Sequence, residues 1–556
     1  MGNPMQSSPK VLPKQQMAKF GFNGWTLWAL YITGLVMVPI LTVATLALFP
    51  TENIWPHLLN TTLPRYFRTT VSLMVSVGLG AAVVGTVTAW LIARYRFVGA
   101  GWLEWALLMP LAIPAYVGAY ALVDLLEYAG PVQTALRGMF GWETARDYWF
   151  PEIRSFPAAC FVLTFALYPY VYLLARAAFR DQSSASDDVA KSLGRGAFAR
   201  FWRIGLPLAR PAIAAGAAIV MMETVNDFGT VDYFAVQTLT TGIFSVWLQS
   251  GNAGGAAQLA CVILAVIIVL VSLEKSARRR MKFFNLSTWH RGVEKTQLTG
   301  RRGVIAFTLC ALPVVIGFVI PTSVLGWHAL NHLDEWTNPA LIKALLNTLR
   351  VATIAALITV FAGVVMVYGV RLARSETPKR LLPITSIGYA APGAVLGVGI
   401  LIPLAWFDNR LADGIWELTG YDIGLILTGT SAAIIYAYCV RFFAIAQGAA
   451  DAAMGRVSPN LANAARSLGR NRLQTLKEVY LPLMSGSVGS ALLLVFVDCV
   501  KELPATLLLR PFNYNTLATL VHEQASLENL SQAAPASLYI ICVGLLAALF
   551  LAKTNK

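Results

Sequence analysis

The sequence predicts an all-α polytopic membrane protein, with about 12 transmembrane helices in two parallel repeats of six helices each. Three observations support this fold class. The chain of 556 residues is 57% hydrophobic and 13% charged, whereas a soluble domain carries about 25% charged residues. Apolar runs recur along the chain, each close to the roughly 20 residues that a membrane-spanning helix needs. One polar and basic stretch also occurs twice with the same internal spacing.

The apolar runs divide into two sets of six. They lie near residues 25–48, 70–93, 103–126, 157–177, 208–229 and 257–274, and near residues 303–324, 346–370, 381–405, 422–446, 484–505 and 536–552. The first run is too long for the core of a signal peptide, so we expect it to remain in the protein. The predicted domains are an N-terminal tail (1–24), a first repeat (25–274), a basic linker (275–302) and a second repeat (303–556).

The basic residues predict the orientation of these spans. In a soluble protein, a net charge of +15 would suggest a nucleic-acid partner. Here the positive-inside rule accounts for the charge, and we expect no nucleic acid. With the N-terminus inside, most of the 43 Lys and Arg residues fall on one face. Both termini, the linker and both copies of the duplicated stretch are therefore predicted to be cytoplasmic. The six cysteines lie in or beside apolar runs and are interpreted as small buried residues.

The duplicated stretch reads Asp188-Val-Ala-Lys-Ser-Leu-Gly194 in its first copy and Asn463-Ala-Ala-Arg-Ser-Leu-Gly469 in its second. A Leu-Pro pair follows each copy, with the proline 13 residues after the glycine at Pro207 and Pro482. Gly469 and Pro482 thus both follow their counterparts by 275 residues. The two loops span residues 183–207 and 458–482.

Local chemistry predicts the shape of each loop. Ser458 followed by Pro459 is a helix-start pattern, because serine accepts hydrogen bonds from the first amides and proline fits the first helical position. Ser183 occupies the matching place in the first copy. Each glycine then ends the helix, because glycine adopts the left-handed conformation without strain. We expect a short helix, a glycine break and a second helical stretch that leads into the membrane.

These loops resemble the EAA loops of type I ABC-importer permeases, the maltose-permease-like class. The stretches Glu223-Thr-Val-Asn-Asp-Phe-Gly and Lys501-Glu-Leu-Pro-Ala-Thr narrow the resemblance to the fused two-half permeases of ferric-iron importers. In that family the loop helix docks on a separate ABC ATPase. The resemblance implies that the coupling residues are Asp188, Ala190, Leu193, Gly194, Asn463, Ala465, Leu468 and Gly469.

The resemblance also implies the partners. Two copies of an ABC ATPase would bind ATP and Mg²⁺, a substrate-binding protein would deliver cargo to the outer face, and this chain would bind no cofactor itself. The protein would lie in the bacterial cytoplasmic (inner) membrane. The sequence departs from the family where the first loop residue, usually Glu, is Asp188 in one copy and Asn463 in the other. The second loop would therefore dock without that charge, through Ala464, Ala465 and Leu468.

Four acids occur in the fifth and eleventh predicted spans. With the offset of 275, Glu223 matches Asp498 and Asp227 matches Glu502. Within each half the two acids are four residues apart, which places them on one helix face. Charged groups within a membrane usually face a cavity or a partner. The acids therefore indicate either a translocation pathway or structural groups, neutralised by Lys501 or capping helix ends. No stable metal site is predicted.

Prolines interrupt the third and ninth predicted spans. A proline within a helix frees a carbonyl and bends the helix, and a membrane tolerates such a break where a neighbouring helix or a water-filled cavity satisfies the backbone. The breaks indicate packing kinks or a pathway; the prolines concerned are Pro110, Pro114, Pro383 and Pro392.

The sequence contains no G-x-x-x-x-G-K-[ST] phosphate loop, zinc motif or nucleophile elbow. We therefore predict no enzymatic activity for this chain, with ATP hydrolysis on a partner. The predicted function is the permease subunit of an ATP-driven importer, for ferric iron delivered by a binding protein. The alternatives are a permease for thiamine or another small solute, and a secondary transporter with parallel repeats.

Overall fold

The computed structural model describes residues 24–182, 192–279, 295–372, 377–386, 388 and 391–554. The predicted N-terminal tail, most of the linker and residues 183–191 of the first loop lie outside the described residues. The helices of the first half are α1 (Gly24–Leu48), α2 (Trp55–Asn60), α3 (Leu63–Arg94), α4 (Ala100–Ala106), α5 (Ala115–Leu126), α6 (Pro131–Phe140), α7 (Phe156–Arg180), α8 (Ala197–Arg200), α9 (Leu206–Asn226), α10 (Gly229–Tyr233), α11 (Leu239–Phe244) and α12 (Ala253–Arg279).

The second half repeats this series. Its helices are α13 (Gly300–Val314), α14 (Ile320–Asn331), α15 (Pro339–Leu372), α16 (Thr377–Thr385), α17 (Gly393–Thr419), α18 (Ser431–Arg456), α19 (Pro459–Ser467), α20 (Arg472–Thr475), α21 (Leu481–Val500), α22 (Pro504–Leu509), α23 (Leu517–Ser526) and α24 (Leu530–Thr554). Short 3₁₀ helices occur at Met109–Ala112 and Leu333–Thr337, and π-helical turns at Phe201–Gly205, Ser245–Gln249, Val315–Val319 and Leu476–Tyr480. Strands β1 (Tyr95–Arg96) and β2 (Thr296–Gln297) form one parallel pair.

The predicted fold class of about 12 membrane helices is confirmed. Among the described residues, eleven helical segments are long and apolar enough to cross a membrane. A twelfth candidate, from residue 100 to residue 140, bends by 92° at a break before Ala115. Pro114 lies at this break, as the N-cap of α5 with an extended backbone. The bend follows because proline cannot supply the amide hydrogen that would continue the helix.

The ninth and tenth spans differ from their predicted ranges. We expected them near 381–405 and 422–446, but α16 ends at Thr385 and α17 begins only after Pro392. The long helix α17 then continues to Thr419, and α18 begins at Ser431. Pro392 disfavours helical backbone at the residue before it, so the span starts later than its apolar composition indicates.

Three long helices pack together in each half: α3, α7 and α9 in the first, and α15, α18 and α21 in the second. Glycine allows the first two helices of each set to approach closely. A Cβ atom on Gly85 would lie 2.8 Å from the backbone nitrogen of Tyr172, and one on Gly363 would lie 3.0 Å from the carbonyl carbon of Ala446. Both crossings therefore depend on the absence of a side chain.

The same hydrogen bonds recur in both halves. The Thr70 hydroxyl accepts from the Leu239 amide at 2.9 Å, and the Thr348 hydroxyl accepts from the Leu517 amide at 2.8 Å. The two helices whose amides donate these bonds, α11 and α23, both begin with a capping box made by two threonines. The repetition at the level of single hydrogen bonds indicates that the two halves share one local design.

The first helices of each half pack partly against the other half. Helix α1 packs on α12 of its own half, but also on α15, α16 and α17 of the other half. In the same way, α13 packs on α3 and α4, while α14 packs on α5 as well as on α24 of its own half. Each half thus completes the apolar packing of the other.

Candidate functional site: two loops and a charged cavity between the halves

The second duplicated loop has the predicted local structure. The Ser458 hydroxyl accepts from the Asn460 amide at 3.3 Å, and α19 begins at Pro459. The helix ends in a Schellman motif, in which the Gly469 amide donates to Arg466 and the Arg470 amide donates to Ala465. Gly469 has a φ of +82°, as a helix stop of this type requires.

The exposure of α19 separates its outward residues from its packed residues. Leu468 is 82% exposed and Asn463 is also exposed, so both are open to a partner. Ala465 is buried against the rest of the chain. Of the two alanines expected to support docking, only Ala464 faces outward.

The first loop is described only from Ser192 onward, so Asp188 and Ala190 lie outside the described residues. Leu193 is 71% exposed, which matches its counterpart Leu468. Gly194 has a φ of +68° and matches Gly469. Each loop then passes through a five-residue π-helical turn, Phe201–Gly205 or Leu476–Tyr480, before the next long helix begins. Large apolar side chains exposed at equivalent positions mark a surface for a partner.

All four predicted acids line one cavity between the halves. Its volume is about 150 Å³, room for about five water molecules. Two basic side chains, Arg441 and Lys501, share the lining. Four carboxylates against two cations give the lining a formal charge of −2. The other polar groups of the wall come from Tyr116, Tyr170 and Asn226.

Asp227 and Glu502 cap short helices. Asp227 accepts from the amides of Thr230 and Val231 and from the Thr230 hydroxyl, at 3.0–3.1 Å. Glu502 accepts from the amides of Ala505 and Thr506 and from the Thr506 hydroxyl, at 2.9–3.1 Å. These contacts place the carboxylates at the positive ends of α10 and α22.

This geometry corrects one expectation. The two acids of each half do not share a helix face, because α9 ends at Asn226 and α21 ends at Val500. Asp227 and Glu502 lie just past those ends, where the chain turns into the next short helix. They reach the cavity from the start of that helix instead.

The basic side chains each pair with an acid of the second half. The Lys501 ammonium lies 2.8 Å from Asp498, and the Arg441 guanidinium lies 3.3 Å from Glu502. With the offset of 275, the first-half counterparts of Arg441 and Lys501 are Ala166 and Asn226. The cavity is therefore asymmetric, because both halves supply acids but only the second supplies cations.

Two buried oxygen atoms of the cavity wall have no hydrogen-bond partner among the described residues. They are the hydroxyl of Tyr116 and Oδ1 of Asn226. Each residue is 5% exposed. Because buried polar atoms are normally satisfied, these two point to water or to a polar guest. In the described part of the chain, no three His, Cys, Asp or Glu side chains are grouped to hold a metal ion.

The chain is similar to known transport permeases. Residues 81–283 match the family described as binding-protein-dependent transport system inner membrane component. The Fe(3+)-transport system permease protein FbpB 2 of Haemophilus influenzae is 25% identical over 85% of this chain and 86% of its own length. The chain is therefore similar to permeases of binding-protein-dependent transport systems over most of its length. This permease is a multi-pass inner-membrane component of an ABC importer, with two fused halves.

Two further relatives bear on the length of the permease. The putative ferric transport system permease protein FbpB 1 of Haemophilus influenzae is 24% identical over 72% of this chain, but over only 63% of its own length. The molybdenum transport system permease protein ModB of Escherichia coli is 29% identical over 35% of this chain and 86% of its own length. A shorter permease thus matches only about a third of the fused chain.

Sequence reasoning missed three residues of the cavity: Tyr116, Asn226 and Arg441. A signal existed for Arg441, which is a lone cation within an apolar run and so indicates an internal partner. Asn226 occupies the repeat position of Lys501. The sequence carried no comparable signal for Tyr116, which the bend before α5 brings to the cavity.

A second cleft of the permease, of about 660 Å³, also joins the halves. Arg154 precedes α7, at the end of that helix opposite to the loop. Its guanidinium lies 3.0 Å from Glu127 of the first half and 2.7 Å from Glu528 of the second. His328 lies 2.9 Å from Asp124, which adds another pair between the halves.

His522 lies beside this cleft. Its ring accepts or donates a 2.8 Å hydrogen bond with the Tyr120 hydroxyl. Burial lowers the pKa of His522 to about 4, and the nearby Arg510 contributes to the same direction. Burial also raises the pKa of Asp232, whose carboxylate lies 4.0 Å from the His522 ring. The imidazole is therefore neutral at neutral pH.

Proposed function

We propose that this permease imports ferric iron delivered by a binding protein. The observation that carries the proposal is the similarity across nearly the whole fused chain to a permease named for Fe(3+) transport. Relatives named for molybdenum cover only about a third of the chain. The carboxylates of the cavity agree with iron, because a hard cation prefers oxygen ligands.

We propose that two copies of an ABC ATPase bind at the two loops, one at each. Leu193 and Leu468 support this arrangement, because they are exposed and occupy equivalent positions. ATP and Mg²⁺ would be held by the ATPase alone. The loops and both termini would then be cytoplasmic, and the binding protein would dock at the opposite face. Closure of the ATPases would move the loops, and the two halves would alternate between inward-facing and outward-facing states.

We propose that the cavity lies on the translocation pathway and that Glu223, Asp227, Asp498 and Glu502 line it. The acids would not act equally. Asp227 and Glu502 already accept three hydrogen bonds each from the short helices that they cap. At Asp227 and Glu502 cargo would compete with these hydrogen bonds, and at Asp498 it would compete with the Lys501 ammonium.

A second candidate is the import of a small anionic or other polar solute. The presence of Arg441 and Lys501 in the cavity favours it, as does the similarity to a permease named for molybdenum. For a secondary transporter, no comparable observation exists. For an anionic solute, the two candidates differ in the sign of the charge that the cavity must stabilise.

Uptake of radioactive iron tests the proposal. The permease is expressed with its ATPase and binding protein in a strain without other iron importers. We expect uptake that requires all three components, and ATP hydrolysis by the reconstituted complex that rises with iron-loaded binding protein. Stimulation by a binding protein loaded with molybdate or thiamine, and not by the iron-loaded one, would overturn the assignment of iron.

A further inference from the structure

The second-half cavity wall carries a flexible cation where the first half carries an amide. Lys501 and Asn226 are repeat counterparts, and both line the cavity. The Lys501 ammonium contacts Asp498 at 2.8 Å and lines the same cavity as Glu223. It thus sits by the matched pair of acids, one from each half. No comparable cation comes from the first-half side of the cavity among its described lining residues.

Arg441 has a different role from Lys501. Its guanidinium pairs with Glu502, which is 4% exposed and also held by helix α22. Glu502 is thus held both by the amides of α22 and by Arg441. Lysine, by contrast, is a point charge on a flexible four-carbon stem. Its side chain is 30% exposed, so it has room to leave Asp498.

The unpartnered oxygens supply an independent sign of a guest. The Tyr116 hydroxyl and Asn226 Oδ1 are buried in the same wall without a hydrogen-bond partner among the described residues. Neutral oxygens together with carboxylates are the ligand set of hard cations. No group of three His, Cys, Asp or Glu side chains that could hold a metal ion occurs in the described residues. Instead, the Lys501 ammonium lies against the Asp498 carboxylate.

We infer that the Lys501 ammonium occupies a binding site for a hard multivalent cation, here called the cation site, and that incoming cargo displaces this ammonium from Asp498. This inference rests on the proposed import of a cation. The ammonium holds the carboxylates in place while the cavity is empty, since unpaired charges in a low-dielectric interior are costly. After the cargo leaves, Lys501 returns to Asp498 and prevents the cation from remaining bound.

Terbium(III) binding to the purified full-length permease tests whether the cation site exists. Tb³⁺ is a hard trivalent probe, and the cavity tyrosines Tyr116 and Tyr170 can sensitise its emission. Removal of a nearby positive charge should strengthen cation binding at least about tenfold in Lys501→Met. Lys501→Arg, which keeps the charge, should bind Tb³⁺ like the wild type.

Two control variants test whether the increase in Tb³⁺ affinity arises at Lys501 and Asp498. Lys343→Met removes an exposed lysine charge from the start of α15 and should leave the sensitised emission unchanged. Lys501→Met with Asp498→Asn should lose the gain. No gain in Lys501→Met, or a gain that survives Asp498→Asn, would overturn the inference.

A measurement on the wild type covers the case in which Lys501→Met fails to fold. Saturating Tb³⁺ should increase the labelling of Lys501 by an amine-reactive reagent, read by mass spectrometry, with Lys343 as the internal reference. Unchanged or reduced labelling would reject displacement. Because neither readout uses iron, a Tb³⁺ response without iron uptake would support the cation site and reject iron as the cargo. Iron uptake without a Tb³⁺ response would reject the cation site and leave the proposed import of iron standing.

Discussion

The backbone of Gly469 has a φ of +82° and donates a hydrogen bond that closes helix α19. Proline cannot adopt this conformation or supply the hydrogen. We predict that Gly469→Pro abolishes uptake and co-purification with the ATPase, while the amount of permease in the membrane is unchanged. Gly194→Pro should act in the same way, since Gly194 has a φ of +68°.

Gly486→Ala is the matched control for this prediction. Gly486 lies within α21, and a Cβ there would meet open space, so uptake should be normal. Immunoblots of membranes separate a loss of coupling from a loss of protein. Normal transport by both proline variants would show that these glycines do not shape a coupling helix.

The lowered pKa of His522 predicts a pH dependence of stability. The imidazole has a pKa near 6.5 in the unfolded chain and about 4 in the folded protein. The unfolded state therefore binds more protons between these values. The free energy of unfolding is therefore unaffected by the titration of His522 above pH 6.5. As the pH falls from 6.5 towards 4, it decreases by up to about 3 kcal/mol.

Thermal unfolding of wild type and His522→Gln from pH 7 to pH 4 measures this effect. The variant should lose less stability on acidification, because it lacks the titrating ring. His57 is exposed, so His57→Gln should follow the wild type. Parallel curves for all three proteins would contradict the buried, neutral imidazole.

The roles of single residues could be predicted only in part from the sequence. The alternatives for the four acids included capping of helix ends and neutralisation by Lys501, and contacts of both kinds are present. The roles of Asp227 and Glu502 depend on five- and six-residue helices that no periodicity reveals. Their signals were local: a threonine three or four residues later, at Thr230 and Thr506. Whether cargo touches these acids stays a prediction.

At the level of elements, the helix crossings of the two halves differ in tightness. An added Cβ would meet backbone atoms at 2.8 Å at Gly85, but at no less than 3.0 Å at Gly363. Overpacking of this kind costs about 1–3 kcal/mol. We predict that Gly85→Ala lowers the melting temperature more than Gly363→Ala, measured by fluorescence-detected unfolding in detergent.

Gly448→Ala serves as the reference for this comparison, because a Cβ at that position of α18 would meet nothing within 4 Å. It should raise or maintain the melting temperature, since alanine favours helix over glycine. Equal melting temperatures for the Gly85 and Gly363 variants would contradict the predicted difference between the two crossings.

The existence of the long helices was predictable from apolar runs, and their ends were not. Pro392 delays α17, and Pro114 bends the third span, so composition alone misplaces both. The π-helical turns before α9 and α21 carry no recognisable pattern, because they arise from the way each loop joins its helix. The sequence does contain the repeat, and the two π-helical turns lie at equivalent positions of it, 275 residues apart.

At the scale of the whole molecule, the two loops differ in charge although their spacing is the same. Asp188 carries a charge that Asn463 lacks. If each loop docks on one ATPase, Asp188→Asn should reduce co-purification of the ATPase more than Asn463→Ala does. The expected reduction is about 5- to 30-fold, as for the loss of one charge-assisted contact of about 1–2 kcal/mol.

Asn463→Asp gives this prediction a converse arm, since it restores the acid in the second loop and should increase the yield of the complex. Pull-down from crosslinked membranes measures all three variants together. A larger loss at Asn463 than at Asp188 would reject the charge argument and leave exposed Leu193 and Leu468 as the basis of docking.

The packing of the first helices against the other half has a consequence for biogenesis. Helix α1 leaves the ribosome early, yet its partners α15 and α17 begin roughly 300 residues later, which at 5–20 residues per second means a delay of about 15–60 s. During this time the face of α1 that finally contacts the second half must be covered by lipid or by the insertion machinery. A ribosome that stalls midway therefore releases a helix without its partner, and quality control can recognise the unfinished chain by that bare face.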